Sequence, residues 1–294
     1  MTIEQGDRKN GIPAAAIAMV GWAASGVIAK GITELGALAV VFWRMWIYAV
    51  IVILFLKIRG TPLKKESFRV SWRGGGALGA DIMLFFSALR LTTVANATVI
   101  GSCQPLLMLL IAGRLFGERP RRHDWLLAMI AICGVIIVMF GSTGVQGWSP
   151  AGDLLSVGTV VAWTLYFVFS KLSSRKIESS QYTGATAVVC ALFATPFALA
   201  SGQVFDVPSG NAWIWLIILS IGPGFASHML MNWALVRIPV WFGSTLTLAI
   251  PVTATVMAWV FLSEDVVALQ FLGMGIVLFA LALIVLGQSN AARH

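Results

Sequence analysis

Two stretches of this chain decide its fold. Residues 88–118 read ALRLTTVANATVIGSCQPLLMLLIAGRLFGE, and residues 234–264 read ALVRIPVWFGSTLTLAIPVTATVMAWVFLSE. Set one above the other without a gap, at an offset of 146 residues, Ala88-Leu89 meets Ala234-Leu235, Pro105 meets Pro251 and Glu118 meets Glu264. The register extends outward, from Met83-Leu84 with Met229-Leu230 to Gly141 with Gly287. Leu and Ala pairs arise easily between apolar chains. A proline in the middle of an apolar run and a glutamate just past its end do not, and these two matches carry the repeat. Farther upstream, an offset of 141 superposes Trp22 on Trp163 and Lys30 on Lys171. The chain is read as two copies of one unit, residues 1–145 and 146–294.

Of the 294 residues, 59% are hydrophobic and 11% charged, with a mean hydropathy of +0.89. A soluble domain carries about 25% charged residues, so this chain has too little polar side chain to cover a globule in water. A soluble enzyme, a nucleic-acid binder and a disordered protein are excluded on that ground. The net charge of +8 does not argue for nucleic acid, because the basic residues sit in short clusters between apolar runs. A membrane helix needs about 20 mostly apolar residues. Ten runs qualify: 12–30, 37–58, 74–91, 94–113 and 125–141, then 152–171, 182–201, 212–236, 240–262 and 267–287. They are continuously apolar rather than alternating, which selects helices over a barrel, and their connections leave no room for a soluble domain. Cys103, Cys133 and Cys190 fall inside the runs with no metal-ligand spacing around them. The expected fold is an all-α membrane protein, ten transmembrane helices in two five-helix inverted repeats around a central cavity.

The basic residues alternate from loop to loop. Three of the 20 lie away from one common side: Lys30 and Arg90 at the opposite end, and Arg44 within the second run. The positive-inside rule then places both termini in the cytoplasm of a multi-pass protein of the bacterial inner membrane. Arg8 and Lys9 ahead of the first run resemble the flank of a cleaved leader, but each repeat needs its five helices, so the run is read as a span. Five is odd, so the second unit enters the membrane upside down relative to the first. Inverted repeats of this kind characterise secondary transporters, whose two states arise when the halves exchange conformations.

The same residues resemble the drug/metabolite transporter superfamily, specifically its EamA-type ten-helix branch. Gly21-Trp22 leading to Lys30, Phe42-Trp43-Arg44, Ala88-Leu89 with Pro105, and Leu115-Phe116-Gly117-Glu118 carry the resemblance. Ala234-Leu235, Pro251 and Phe261-Leu262-Ser263-Glu264 echo it in the second half. The likeness covers essentially the whole chain, and within the branch it is similar to the bacterial aromatic amino acid exporters. It implies two EamA-type repeats forming a basket of helices around a cavity, with the fifth and tenth spans free for contacts outside it.

Charge within a bilayer costs about 2.5–3.5 kcal/mol at a helix centre, so intramembrane ionisable residues are candidates for the pathway. Asp81 is the one carboxylate well inside a run; it suits proton coupling or a substrate ammonium, against a buried, hydrogen-bonded Asp. Its repeat partner is Ser227, and beside that lies His228 with Asn232 one turn on. Lys30 and Arg44 can hold a substrate carboxylate or snorkel to headgroups. On the fourth and ninth runs Thr98, Gly101 and Pro105 match Ser244, Thr247 and Pro251, one face of each helix. Each proline deprives a carbonyl four residues back of its partner, at Gly101 and Thr247. That marks Pro105 and Pro251 as hinges, with Gln104 beside the first, against close packing through small residues. Trp22 and Ser25 correspond to Trp163 and Tyr166, aromatics able to stack on a planar substrate, and Phe85 shares the Asp81 face.

No nucleotide-binding loop, hydrolase motif, metal cluster or selectivity filter appears, and neither a cofactor nor an enzymatic activity is implied. The expected function is a secondary exporter of amino acids, aromatic ones first by resemblance, from cytoplasm to periplasm by alternating access. Its partners are a small-molecule substrate and the lipid bilayer, with no nucleic acid and no oligomeric state specified; a monomer suffices. Broad drug efflux or metabolite import on the same fold is the alternative, and a membrane-embedded enzyme or a channel is the alternative of another class.

Overall fold

The computed structural model describes residues 5–29, 32–92, 94–141, 149–263 and 265–291. Lys30, Glu264 and Arg293 lie outside the described residues, as do the side chains of Arg8, Lys9 and Arg90. The first half folds as α1 (Gln5–Ala29), α2 (Ala37–Ile58), α3 (Lys65–Leu91), α4 (Val94–Gly101), α5 (Gln104–Phe116) and α6 (Arg122–Gly141). The second half folds as α7 (Pro150–Ser173), α8 (Ser179–Ala200), α9 (Ala212–Leu219), α10 (Ser227–Arg237), α11 (Val240–Leu246), α12 (Ala249–Leu262) and α13 (Ala268–Ala291). A π-helical segment, Ser220–Ala226, joins α9 to α10. No strand occurs among the described residues. In hydrocarbon every backbone group needs a partner, and a helix supplies them from within itself.

Nine helical stretches among the described residues are long and apolar enough to cross a membrane. The third expected run falls short of that measure. It lies within α3, which begins nine residues earlier than the run and carries Lys65, Glu66, Arg69 and Arg73 before its apolar part. That part nevertheless packs along α7 and α8 like a core member of the bundle.

Three spans are interrupted, two of them at the expected proline hinges and the eighth without such an expectation. The fourth divides between α4 and α5 just before Pro105, and the ninth divides between α11 and α12 just before Pro251. The eighth widens into the π-helical segment around Pro223, which Gly222 and Gly224 flank. The carbonyl of Thr247, expected to be freed by Pro251, is taken up by Ile250 N–H at 2.9 Å. The chain tightens to three-residue spacing at this break rather than leaving the acceptor bare.

Packing repeats across the halves. The first helix of each half lies against the third and fourth spans of the other: α1 on α10 and α12, α7 on α3 and α4. The second helices α2 and α8 pack on each other, and so do the fifth, α6 and α13. Backbone detail follows the same exchange. Gly117 ends α5 in a left-handed conformation (φ 68°), and Ser263, at the equivalent place after α12, adopts it too (φ 54°). Only glycine takes this conformation without strain.

The α6–α13 contact is backbone against backbone. A Cβ on Gly134 would stand 2.9 Å from Gly273 O, and one on Gly273 would stand 2.7 Å from Gly134 O. Substituting Val at either position forces the helices apart, at about 1–3 kcal/mol for overpacking. Both variants should melt at lower temperature in detergent. Gly275→Ala, whose Cβ meets nothing within 4 Å, should not.

Candidate substrate pathway

The broken helices and the cross-packed halves bring five helices to one buried centre. Trp22 enters from α1, Tyr48 from α2, Trp163 and Tyr166 from α7, Tyr182 and Thr183 from α8, and His228 and Asn232 from α10. Trp22 meets Trp163 edge-on at 4.9 Å between ring centroids, and it meets His228 at 5.1 Å. Tyr48 stacks on the other side of His228 at 5.9 Å and 22°. Trp163 and Tyr166 lie 5.4 Å apart. The two symmetric tryptophans therefore touch each other, with no slot for a planar molecule between them in this conformation.

Polar groups thread this aromatic packing. Tyr166 Oη lies 3.0 Å from His228 Nδ1, 3.1 Å from Asn232 Oδ1 and 2.9 Å from Asn232 Nδ2. Asn232 Oδ1 also accepts from Ser170 Oγ at 2.7 Å, and its Nδ2 donates to Thr183 Oγ1 at 2.9 Å. A hydroxyl has one proton, so Tyr166 accepts from the amide and donates either to His228 or to Asn232. Asn232 thus ties α7, α8 and α10 together at 1% exposure. The hydroxyls of Tyr48 and Tyr182 and the indole N–H of Trp22 are buried without a partner among the described residues, three polar groups available to a guest.

Arg44 and Asp81 stand beside this centre, on α2 and α3, both buried. Arg44 lies one turn before Tyr48 on α2, and the π-helical segment docks there, where Ser220 Oγ donates to Arg44 O at 3.2 Å. Gln104 and Ser244 meet across the halves: the Ser244 hydroxyl donates to Gln104 Oε1 at 2.6 Å, while Gln104 Nε2 has no partner. Thr247 donates to Ser244 O at 2.6 Å, next to the second break. Pro105 and Pro251 are both buried at the breaks. Phe85 contacts Phe86 edge-on at 5.9 Å, Thr98 O accepts from Ser102 Oγ at 2.8 Å, and a Cβ on Gly101 would meet open space. Ser25 is half-buried and makes no hydrogen bond among the described residues. Among the described residues none of these four makes a hydrogen bond or ring contact with the cluster at the centre.

Openings lie at both ends of the bundle. A cavity of about 530 Å³ at the basic end is lined by Arg59, Ser174, Glu178, Trp233 and Arg237 among others. A second, of about 560 Å³, opens at the opposite end between Ala37, Leu38, Ser87, Leu91 and Gln203. The basic end is also braced between halves. Glu118 accepts from Val240 N–H at 2.9 Å and Trp241 N–H at 3.3 Å, capping α11. Lys171 Nζ donates to the carbonyls of Leu235 and Ile238 at the end of α10 and lies 4.0 Å from Glu118. A carboxylate on a helix start and an ammonium on a helix end both oppose the helix dipoles favourably.

Sequence reasoning missed Tyr48, Tyr182, Thr183 and Ser170, none of which breaks the pattern of its apolar helix. The π-helical segment did leave a signal, the run Ile221-Gly222-Pro223-Gly224 inside a span. Replacing Asn232 with Leu should remove the shared partner of Tyr166, Ser170 and Thr183; Tyr166 keeps His228 and Thr183 keeps the Ser179 carbonyl, so the Ser170 hydroxyl is the one left unsatisfied. A buried polar group so stranded costs about 1–3 kcal/mol, so Asn232→Leu should lower the melting temperature in detergent more than Ser25→Ala does.

Comparison with known proteins completes the picture. The model of the EamA-like transporter family matches residues 9–140 and again residues 150–286. The chain is 28% identical over 201 residues to the aromatic amino acid exporter YddG of Ancylobacter novellus, covering 67% of this chain and 69% of that one. It is 23% identical over 269 residues to the threonine/homoserine exporter RhtA of Escherichia coli, covering 90% and 87%. The transporter YetK of Bacillus subtilis is 23% identical over 275 residues, covering 90% and 83%. A crystal structure with 21% identity superposes with a TM-score of 0.83 over 97% of this chain and 99% of the other, so the two share a fold. With the family matched twice, once in each half, and an all-helical membrane bundle carrying both matches, this chain belongs to the EamA-like transporter family.

Proposed function

We propose that the chain is a secondary exporter that moves amino acids, aromatic ones foremost, from cytoplasm to periplasm by alternating access. The observation that carries this reading is a buried aromatic and polar centre, with a surface cavity at each end of a bundle whose halves pack by mutual exchange. A carrier of this kind needs an occluded site and two gates that open in turn. Trp22, Tyr48, Trp163, Tyr166 and His228 offer rings to an aromatic side chain. The hydroxyls of Tyr48 and Tyr182 and the Gln104 amide nitrogen offer polar groups. The exporter names of the similar proteins agree with this chemistry without fixing the substrate.

Pro105 and Pro251 are the hinges in this reading. Each interrupts its span at the equivalent place, and kinks in helices arise where a proline withholds a donor. The Glu118–Lys171 brace closes the basic end, which the charge distribution assigns to the cytoplasm along with both termini. In the register of the repeat, Glu264 and Lys30 hold the equivalent positions at the periplasmic end.

Counterflow of labelled phenylalanine, tryptophan and threonine into proteoliposomes tests the proposal. Saturable exchange is expected; ohmic current would mean a channel, and substrate turnover without flux an enzyme. Pro105→Ala and Pro251→Ala should each slow exchange several-fold with insertion unchanged, and normal rates in both would reduce the prolines to packing. An impermeant thiol reagent should label a cysteine at position 64 only in opened cells. Labelling in intact cells would reverse the topology.

A further inference from the structure

We infer that Arg44 and Asp81 form a two-point clamp for a zwitterion, the guanidinium taking the α-carboxylate and the carboxylate taking the α-ammonium of one amino acid. The inference rests on the exporter reading above and names the recognition element within that pathway.

Both side chains are more than nine-tenths buried, at 6% and 8% exposure. Neither makes a hydrogen bond or an ion pair among the described residues; the ion pairs there are His123–Asp124 and Lys171–Glu118. The Nε of Arg44 is shut away without a partner. Arg44 and Asp81 lie within electrostatic reach of each other, with Cys190 of α8 near both, yet they stand too far apart to bond directly. Two opposite charges buried in a bilayer protein and left unpaired by it can each take up one end of a guest that bridges them. Intramembrane charges of this sort face a cavity or a partner.

The architecture does not call for these charges. Asp81 corresponds to Ser227 in the other half, and α8, the counterpart of α2, has no charged residue at all. A pair that served the fold would be expected twice. This one occurs once, as does an asymmetric substrate.

Chemistry decides the class of that substrate. The planar guanidinium fork matches a carboxylate in two parallel hydrogen bonds, and an aspartate accepts from an ammonium. An α-amino acid carries both groups on one carbon and is neutral overall, so binding leaves no charge unpaired. A simple amine or a simple acid would strand one partner. The location agrees. Arg44 lies seven residues along α2 from Ala37 on the rim of the outer cavity. One turn farther along α2, Tyr48 stacks on His228. A zwitterion held at Arg44 and Asp81 therefore has its side chain directed at the aromatic centre.

A matched triplet tests the clamp in proteoliposomes containing the full chain: phenylalanine, phenethylamine, which lacks the carboxylate, and phenylpropionate, which lacks the ammonium. Each competes against labelled phenylalanine. The parent should prefer phenylalanine by about tenfold or more over either analogue, since a site built for a polar group rejects a ligand without it. Arg44→Gln should lose the preference over phenethylamine, and Asp81→Asn the preference over phenylpropionate. Arg44→Lys keeps the charge without the fork and should raise KM with kcat nearly unchanged, a readout that survives if Arg44→Gln fails to fold. Variants that weaken all three compounds by one common factor would make the pair structural. Asp81→Asn that keeps the ranking but loses only its response to a pH gradient would make Asp81 a proton carrier instead. Either result would overturn the clamp while leaving export intact. No phenylalanine flux in the parent, with the melting temperature unmoved by phenylalanine, would overturn the exporter reading and the clamp with it.

Discussion

Within hydrocarbon a backbone carbonyl or amide released from its helix finds no water, so irregular backbone survives only where protein or a polar cavity receives it. Each break in this bundle obeys that constraint. At Pro251 the chain tightens so that Ile250 takes the Thr247 carbonyl, and the nearby Ser244 and Thr247 hydroxyls bond inward. At Pro223 the helix widens, and Ser220 and Ser227 hydroxyls reach freed or neighbouring carbonyls. All three prolines are buried. These three interruptions therefore lie in the interior, whereas Pro13 and Pro196 sit at exposed positions within continuous helices.

The interior that results is polar in small, fully organised pieces. Asn232 gathers hydroxyls from α7 and α8, and Gln104 joins Ser244 across the halves. Hydrogen bonds between membrane helices average only about 0.6 kcal/mol each, so they fix which helix faces meet more than they hold the bundle together. Cohesion comes from close apolar contact, most plainly where Gly134 and Gly273 bring two backbones into touch. Weak polar links over strong packing suit the alternating access proposed for this chain.

Much of the candidate site was legible in residue type. Trp22, Trp163 and Tyr166 stood out at positions matched by the repeat, and His228 and Asn232 as polar groups beside the position equivalent to Asp81; the structure gathers all five. Ser25, Phe85, Thr98 and Gly101 were chosen from repeat matching and helical spacing, and among the described residues they make no hydrogen bond or ring contact with that cluster. Helical spacing gives a face, and it does not say which face looks inward. In a soluble helix the contrast between apolar and polar sides settles that. Here the contrast is absent: Val52 is fully buried and Leu54, two residues on, is 54% exposed to the outside, although both are aliphatic.

The sequence by itself determined the apolar runs, the two-fold repeat and its inversion, and the family. Hydropathy is summed over about 20 residues, charge over whole loops and parity over five spans, so none of these depends on where a single side chain points. The tertiary structure alone decided which side chains meet. It brought Tyr48, Tyr182 and Thr183 to the centre, turned one expected span into helices joined by a π-helical segment, and held Arg44 and Asp81 near each other without pairing them. Those outcomes depend on the rotation of each helix about its own axis. Where lipid and core are equally apolar, only the packing of small residues and a few hydrogen bonds fixes that rotation.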